Sequence, residues 1–277
     1  MTPADNLLIG LNGRFFASNW RPALDEIAFA QANGFQALQF RGKEEGLQAE
    51  HLGAELAAVA AALRQAGLVA VMEIVVPVNA QGVSSTGHTP LDTLRANLPA
   101  IETLGCRCVH WHPVPTRDTS PAAIPAIEHA LLEPLGAAAD LGVRHGFRFG
   151  LEHNSPDLRL FASPQACAAA LDAIPALSFV WDFNHTTPED RDGFKALIPR
   201  VSMLHVADTP LPEVNHHLPL GEGSVDLADY CRALRQGGFV GPAILEIGGL
   251  PKSGGFGRDT DAALVASLRH LRHANRF

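Results

Sequence analysis

Four side chains able to do acid–base or metal chemistry, Glu152, Asp182, His205 and Glu246, each stand at the end of a short apolar run. The runs are FRFGL (147–151), LSFVW (177–181), VSML (201–204) and AIL (243–245), with helix-like stretches between them. If these runs are parallel strands of one closed barrel, the four groups converge on a single mouth. Three carboxylates and an imidazole then share a partly desolvated pocket, where uncompensated negative charge is costly. A divalent cation is the simplest compensation, and the chain reads as a metal-dependent enzyme.

The elements that must position these groups follow from the apolar pattern. Strand-like runs fall at residues 7–11, 37–40, 69–76, 108–111, 147–151, 177–181, 201–206 and 243–247. They are short, apolar nearly throughout and often β-branched or aromatic, as strands covered on both faces should be. Helical patterns lie between them. Those at 21–33, 51–66, 91–104, 124–141 and 227–236 each run into a glycine (Gly34, Gly67, Gly105, Gly142, Gly237), the expected stop because glycine accepts the left-handed conformation. Strands alternating with helices, with long loops at 77–89, 113–121 and 207–223 all following strands, predict a single-domain α/β fold over residues 1–277, a (β/α)8 barrel. A doubly wound open sheet would want a glycine-rich phosphate turn after the first strand, and Leu11-Asn-Gly-Arg-Phe-Phe lacks that spacing.

Composition narrows the class. Hydrophobic residues make up 47% of the 277 positions, enough for one sizeable core. A formal net charge of −8 argues against a nucleic-acid binder, which needs cations to neutralise phosphates. No basic segment leads into an apolar run at the N-terminus and no stretch is long enough to span a bilayer, so a cytoplasmic protein without membrane contact is expected. Cys106-Arg-Cys108 is not a C-x-x-C pair, and with Cys167 and Cys231 it predicts inert thiols.

Several segments resemble the xylose-isomerase-like TIM barrels, grouped as sugar phosphate isomerases/epimerases. They are Gly150-Leu-Glu152-His-Asn154, Trp181-Asp182-Phe-Asn-His185, Leu204-His205-Val-Ala-Asp208 and Leu220-Gly-Glu-Gly-Ser-Val-Asp226, continuing through Ala233–Phe239 to Pro242-Ala-Ile-Leu-Glu246-Ile. The resemblance is ordered and spans most of the chain. It implies that Glu152, Asp182, His205 and Glu246 ligate one divalent ion. Three oxygen donors and one nitrogen independently suit Mn2+ first, then Mg2+ or Co2+, with Zn2+ also compatible.

The implied activity is an isomerase or epimerase of a small sugar, or of a related polyol or keto acid. Proton transfer would run through a metal-stabilised enediolate, with Glu152 and Glu246 as the acid/base pair. By the same resemblance His185 contacts substrate or a second ion, and His217 stands where relatives carry an Arg or His that touches substrate. Asp208 would orient the ligands, and Glu222 would brace its loop. His110 and His112 flank Trp111 and share one face if their strand is regular. Phe15, Phe16, Trp20 and Trp111 could wall the sugar's C–H face, and the loop aromatics suit contact within a homo-oligomer. Arg14 is a candidate for meeting a phosphate or carboxylate.

Two alternatives share the scaffold. An inosose-type dehydratase would use the same enediol logic. A multi-zinc, apurinic-endonuclease-like hydrolase would recruit His112, His185 and His217, but the acidic balance and Asn215, where that branch carries a carboxylate, argue against it. A silent metal- or sugar-binding sensor is disfavoured because both acid/base glutamates are present.

Overall fold

A computed structural model describes residues 6–249 and 251–277; residues 1–5, on which the expectation of no leader rests, lie outside them. Eight strands, β1 (Leu7–Asn12), β2 (Ala37–Arg41), β3 (Val69–Val78), β4 (Cys108–Pro115), β5 (Arg148–Glu152), β6 (Ser178–Asp182), β7 (Val201–Val206) and β8 (Gly241–Leu245), form a closed barrel. Every neighbouring pair is parallel, and β1 closes onto β8 through Leu7 opposite Gly241. Helices α1 (Ala23–Asn33), α2 (Leu56–Ala66), α3 (Pro90–Leu104), α4 (Ile124–His145), α5 (Pro164–Ala173), α6 (Arg191–Lys195), α7 (Leu227–Gln236) and α8 (Asp261–Ala274) follow the strands in turn. A hairpin pairing Phe15–Phe16 with Asn19–Trp20 follows β1.

Gly34, Gly67 and Gly105 stop their helices in the left-handed conformation as expected; two stops differ, and one helix is broken near its start. The expected helix at 51–66 is two pieces, because a one-turn helix, Ala49–Leu52, is stopped by left-handed Gly53. The fourth helix runs through Gly142 to His145 and is capped by Gly146. Gly142 serves close packing: a Cβ there would lie 2.8 Å from the Phe147 carbonyl oxygen. After α7, Gly237 keeps a negative φ and Gly238 takes the left-handed turn.

Two separate apolar clusters hold the fold. The larger packs the outward faces of the strands against the helices, with Phe40, Trp111, Phe149, Phe179 and Trp181 all buried in it. The smaller fills the barrel interior with Ala37, Val71, Cys108, Val180, Met203 and Ile244. Side chains of a strand alternate between faces, so the residue two positions on points into the same interior. Two positions on from that apolar floor stand Gln39, Glu73, His110, Asp182, His205 and Glu246. Gly10 and Gly150, on the other two strands, are likewise followed by Asn12 and Glu152. One alternation step on all eight strands thus turns an apolar floor into a wholly polar ring at the C-terminal end.

Candidate metal centre

The ring places Glu152, Asp182, His205 and Glu246 so that one ligating atom of each lies within 4.8 Å of the others. Glu152, Asp182 and His205 are fully buried. The His205 Nδ1–H donates to Glu152 Oε1 at 2.8 Å and lies 3.2 Å from Glu246 Oε2. Across the barrel its Nε2–H donates to Gln39 Oε1 at 2.9 Å. The His110 Nε2–H holds the other Glu152 oxygen at 3.0 Å. Asn12 reaches Glu246 Oε1 with its amide at 3.4 Å.

The charges in this space act strongly on one another. Burial works against a protonated His205, but the Glu152 and Glu246 charges overcome it and hold the imidazole well above its usual range. Burial would raise Glu246, yet His205, with its hydrogen bond, and His217 bring it down to about 2. Glu152 is likewise held low against burial by His112, His205 and the hydrogen bond from His110. Asp182 goes the other way, pushed up to about 7 by burial and by the Glu246 and Glu152 charges.

That asymmetry tests the donor set for a metal. Asp182 Oδ1 accepts the Asn184 backbone N–H at 2.7 Å, but Oδ2 is buried without a hydrogen-bond partner. His185 Nδ1 lies 3.1 Å from that oxygen, but its N–H is aimed at the His153 carbonyl 3.0 Å away. An orphaned carboxylate oxygen, facing two further carboxylates and an imidazole, is a donor short of a cation. The residues fit a divalent ion.

Above the ring, His112, His185 and His217 form a row, with ring centroids 5.6 and 6.0 Å apart. His112 donates from Nε2 to Asn154 Oδ1 at 2.9 Å and lies 3.4 Å from Glu73 Oε1. Burial opposes its protonation, but Glu152 and Glu73 raise it to about 10. His112, Glu152 and His185 also come within 4.8 Å of one another, as do His110, Glu152 and His205. His217 donates from Nδ1 to the Glu246 carbonyl at 2.9 Å from a left-handed backbone, with φ of 52°. Asn184 holds that backbone: its Oδ1 accepts the N–H groups of His216 and His217, both at 3.0 Å.

Three expected contact residues are elsewhere. Trp111 points outward between its two histidines and packs edge-on against Phe149, as alternation requires. Phe15 stacks on Phe40 at 5.4 Å, within the outer cluster. Arg14 is buried, and its guanidinium is consumed by Glu26, at 2.6 Å, and by Asp261. Asp208 accepts N–H groups from Thr209, Gly221 and Val225, so it braces the β7 loop rather than the ligands. Glu222 pairs with Arg258. The four cysteines are buried and free. Gln39, Glu73 and Asn12 are the ring members that the sequence reading passed over. Their signal was a polar residue at an inward position of an otherwise apolar strand.

A family model described as the xylose isomerase-like TIM barrel matches residues 27–274. No curated protein matches the sequence. Among solved structures, D-allulose 3-epimerase from Methylomonas sp., in complex with D-allulose, is 17% identical with a TM-score of 0.72, covering 98% of each chain. The IolI protein with a bound zinc atom is 15% identical with a TM-score of 0.77, over 97% of this chain and 98% of its own. The 3-keto-D-glucoside 4-epimerase of E. coli is 18% identical with a TM-score of 0.72, over 96% of this chain and 99% of its own. At these identities the likeness speaks for the fold.

Proposed function

This chain belongs to the xylose isomerase-like TIM barrel family, and from that premise we propose that it is a divalent-metal-dependent isomerase or epimerase of a small sugar or related polyol. The observation that carries the reading is the Glu152–Asp182–His205–Glu246 cluster with its orphaned Asp182 oxygen. Mn2+ is the ion that its oxygen-rich donor set suits first, and Zn2+ fits as well. The sugar epimerases among its structural neighbours, one of them in complex with D-allulose, support the choice of substrate class.

When bound, the ion would polarise the substrate carbonyl and favour loss of the proton on the adjacent carbon. The protein's own part is proton handling. Glu152 and Glu246 are both held below the usual carboxylate range, in the form that accepts a proton. They come from β5 and from the end of β8, on separate strands of the ring, so a substrate lying between them presents a different face to each. Return of the proton to the opposite face of the same carbon inverts it; return to the neighbouring carbon moves the carbonyl. His185 and His217 line the approach and can bind substrate hydroxyls.

The test is exchange in heavy water. Manganese-loaded protein is incubated with a panel of ketoses and aldoses, and deuterium at carbon is read by NMR. Wild-type protein should label a substrate, and both Glu152→Gln and Glu246→Gln should abolish labelling. Labelling retained in either variant removes that glutamate from the acid/base pair. No labelling of any sugar by the wild type overturns the reading.

A further inference from the structure

We infer that Arg41, backed by Lys43, forms an anion subsite on the β2 side of the mouth, binding a phosphate or carboxylate at the far end of the substrate. The inference rests on the proposed function for the reacting end of that substrate. The sequence suggested Arg14 for this role, but Arg14 is buried in ion pairs with Glu26 and Asp261. The fold presents a different cation.

Alternation along β2 fixes its position. Ala37 belongs to the interior floor, Gln39 reaches His205 across the barrel, and Arg41 is the next residue on that face. It ends the strand opposite Glu73 in the register, on the rim rather than in the outer helix layer. Two residues of strand carry it roughly 7 Å beyond the level of Gln39, a reach comparable to a short polyol chain with its carbonyl end at the carboxylates.

Arg41 is held ready. Its guanidinium lies over the Phe16 ring, 5.0 Å from the centroid, a contact that does not consume its N–H donors. Among the described residues no carboxylate comes within the 4.0 Å of an ion pair with it, in a chain whose acids outnumber its basic residues. Lys43 is next to it. Burial, and then the like charge of Arg41, lower its amine from the usual range. The Lys43 backbone is clamped by buried Asn97, which accepts its N–H at 3.1 Å and donates to its carbonyl at 2.6 Å. Two part-buried cations two residues apart on a fixed turn, where the like charge of Arg41 outweighs the pull of Glu45 on Lys43, gain from an anion between them. The ring below carries Glu73, Glu152, Asp182 and Glu246, which would repel an anion, so the subsite would also orient the substrate.

The experiment is calorimetric titration of the manganese-loaded protein with D-glucitol, D-glucitol 6-phosphate, D-gluconate and inorganic phosphate, in wild type, Arg41→Gln and Arg41→Lys. At least one charged polyol should bind roughly tenfold tighter than glucitol. Arg41→Gln should erase that preference with glucitol affinity unchanged, and Arg41→Lys should restore part of it. Loss confined to the phosphate arm names a phosphorylated substrate, and loss confined to the gluconate arm names an acid. Equal affinities in wild type, or a preference that survives Arg41→Gln, overturn the subsite and leave the sugar reading standing. If inorganic phosphate alone binds and Arg41→Gln abolishes it, the subsite stands and the sugar reading falls. If nothing binds, both fall.

Discussion

Strands β4 to β8 bring His110, His112, Glu152, Asp182, His205 and Glu246 to the barrel mouth, whereas β1 to β3 bring Asn12, Gln39, Arg41 and Glu73. The first half holds the four candidate metal ligands. The second holds none of them, yet its side chains touch them: Gln39 reaches across the barrel to His205, and Asn12 contacts Glu246 from the adjacent strand. One half carries donors that would bind a cation; the other carries hydrogen-bond partners of those donors, together with Arg41. If that division is real, substitutions in the two halves should fail in different ways. The first should lose the ion, and the second should keep it with weaker affinity, slower turnover or altered selectivity.

The largest effect is expected in the ligand half. His205→Ala removes one of four donors and the positive partner of two carboxylates. One donor's share of the free energy of a four-ligand site is roughly 3 kcal/mol, or about two orders of magnitude in affinity. Chelator competition should show that loss, with stoichiometry falling well below one ion per chain after dialysis. Full metal retention in His205→Ala would place the ion elsewhere, with the His112, Glu152 and His185 group the next candidate.

How much of this was legible in the sequence also divides by half. Glu152 and Asp182 end their strands, Glu246 directly follows its own and His205 is one residue short of the end of β7, so an apolar run with a polar terminus marks them, and the family motifs repeat the signal. Gln39 and Glu73 lie inside runs that read as continuous apolar strands, and only inward alternation separates them from Leu38 and Met72. The same alternation explains Trp111: placing His110 and His112 inward sends the residue between them to the helix layer. Arg14 and Arg41 could not be told apart by spacing, since both follow or end an early strand. Which of them is neutralised depends on Glu26 and on Asp261, the latter 247 positions away. Pairing over that distance is set by tertiary structure. Gly142 is a milder case, because a glycine needed for close packing looks the same in sequence as one needed for a left-handed stop.

In the other half, Gln39→Leu should give a smaller loss of a different kind. Gln39 Oε1 accepts the His205 Nε2–H, so that Nδ1, on losing its proton to a bound ion, would turn its lone pair toward the carboxylates. Leucine preserves the volume and removes the acceptor, leaving a buried N–H unsatisfied. Affinity should fall roughly tenfold, within the range for groups that orient a metal-binding histidine, while one ion per chain still binds at saturating metal. Gln39→Glu, which also accepts, should recover most of the affinity. Nitrogen NMR of His205 in the zinc-loaded protein separates orientation from simple destabilisation. Wild type and Gln39→Glu should show the Nε2–H tautomer with Nδ1 metallated, and a Gln39→Leu spectrum and affinity indistinguishable from wild type would remove Gln39 from this role.

Asn12→Ala should give the smallest effect, and its size measures how far the second half reaches. The Asn12 amide approaches Glu246 Oε1 at 3.4 Å, the long end of a hydrogen bond, while Gln39 and His205 are 2.9 Å apart. The Asn12 Oδ1 is buried without a partner, so truncation removes an unsatisfied acceptor together with a weak donor. The two changes oppose each other, and the net stability change should stay under about 1 kcal/mol. Glu246 would lose one of the groups that hold its carboxylate in place, so turnover should fall by less than roughly tenfold, with metal affinity unchanged. A loss as deep as that of Glu246→Gln would make Asn12 a partner in proton transfer and move β1 into the catalytic half. An unchanged rate would confine the second half's influence on the candidate ligands to Gln39.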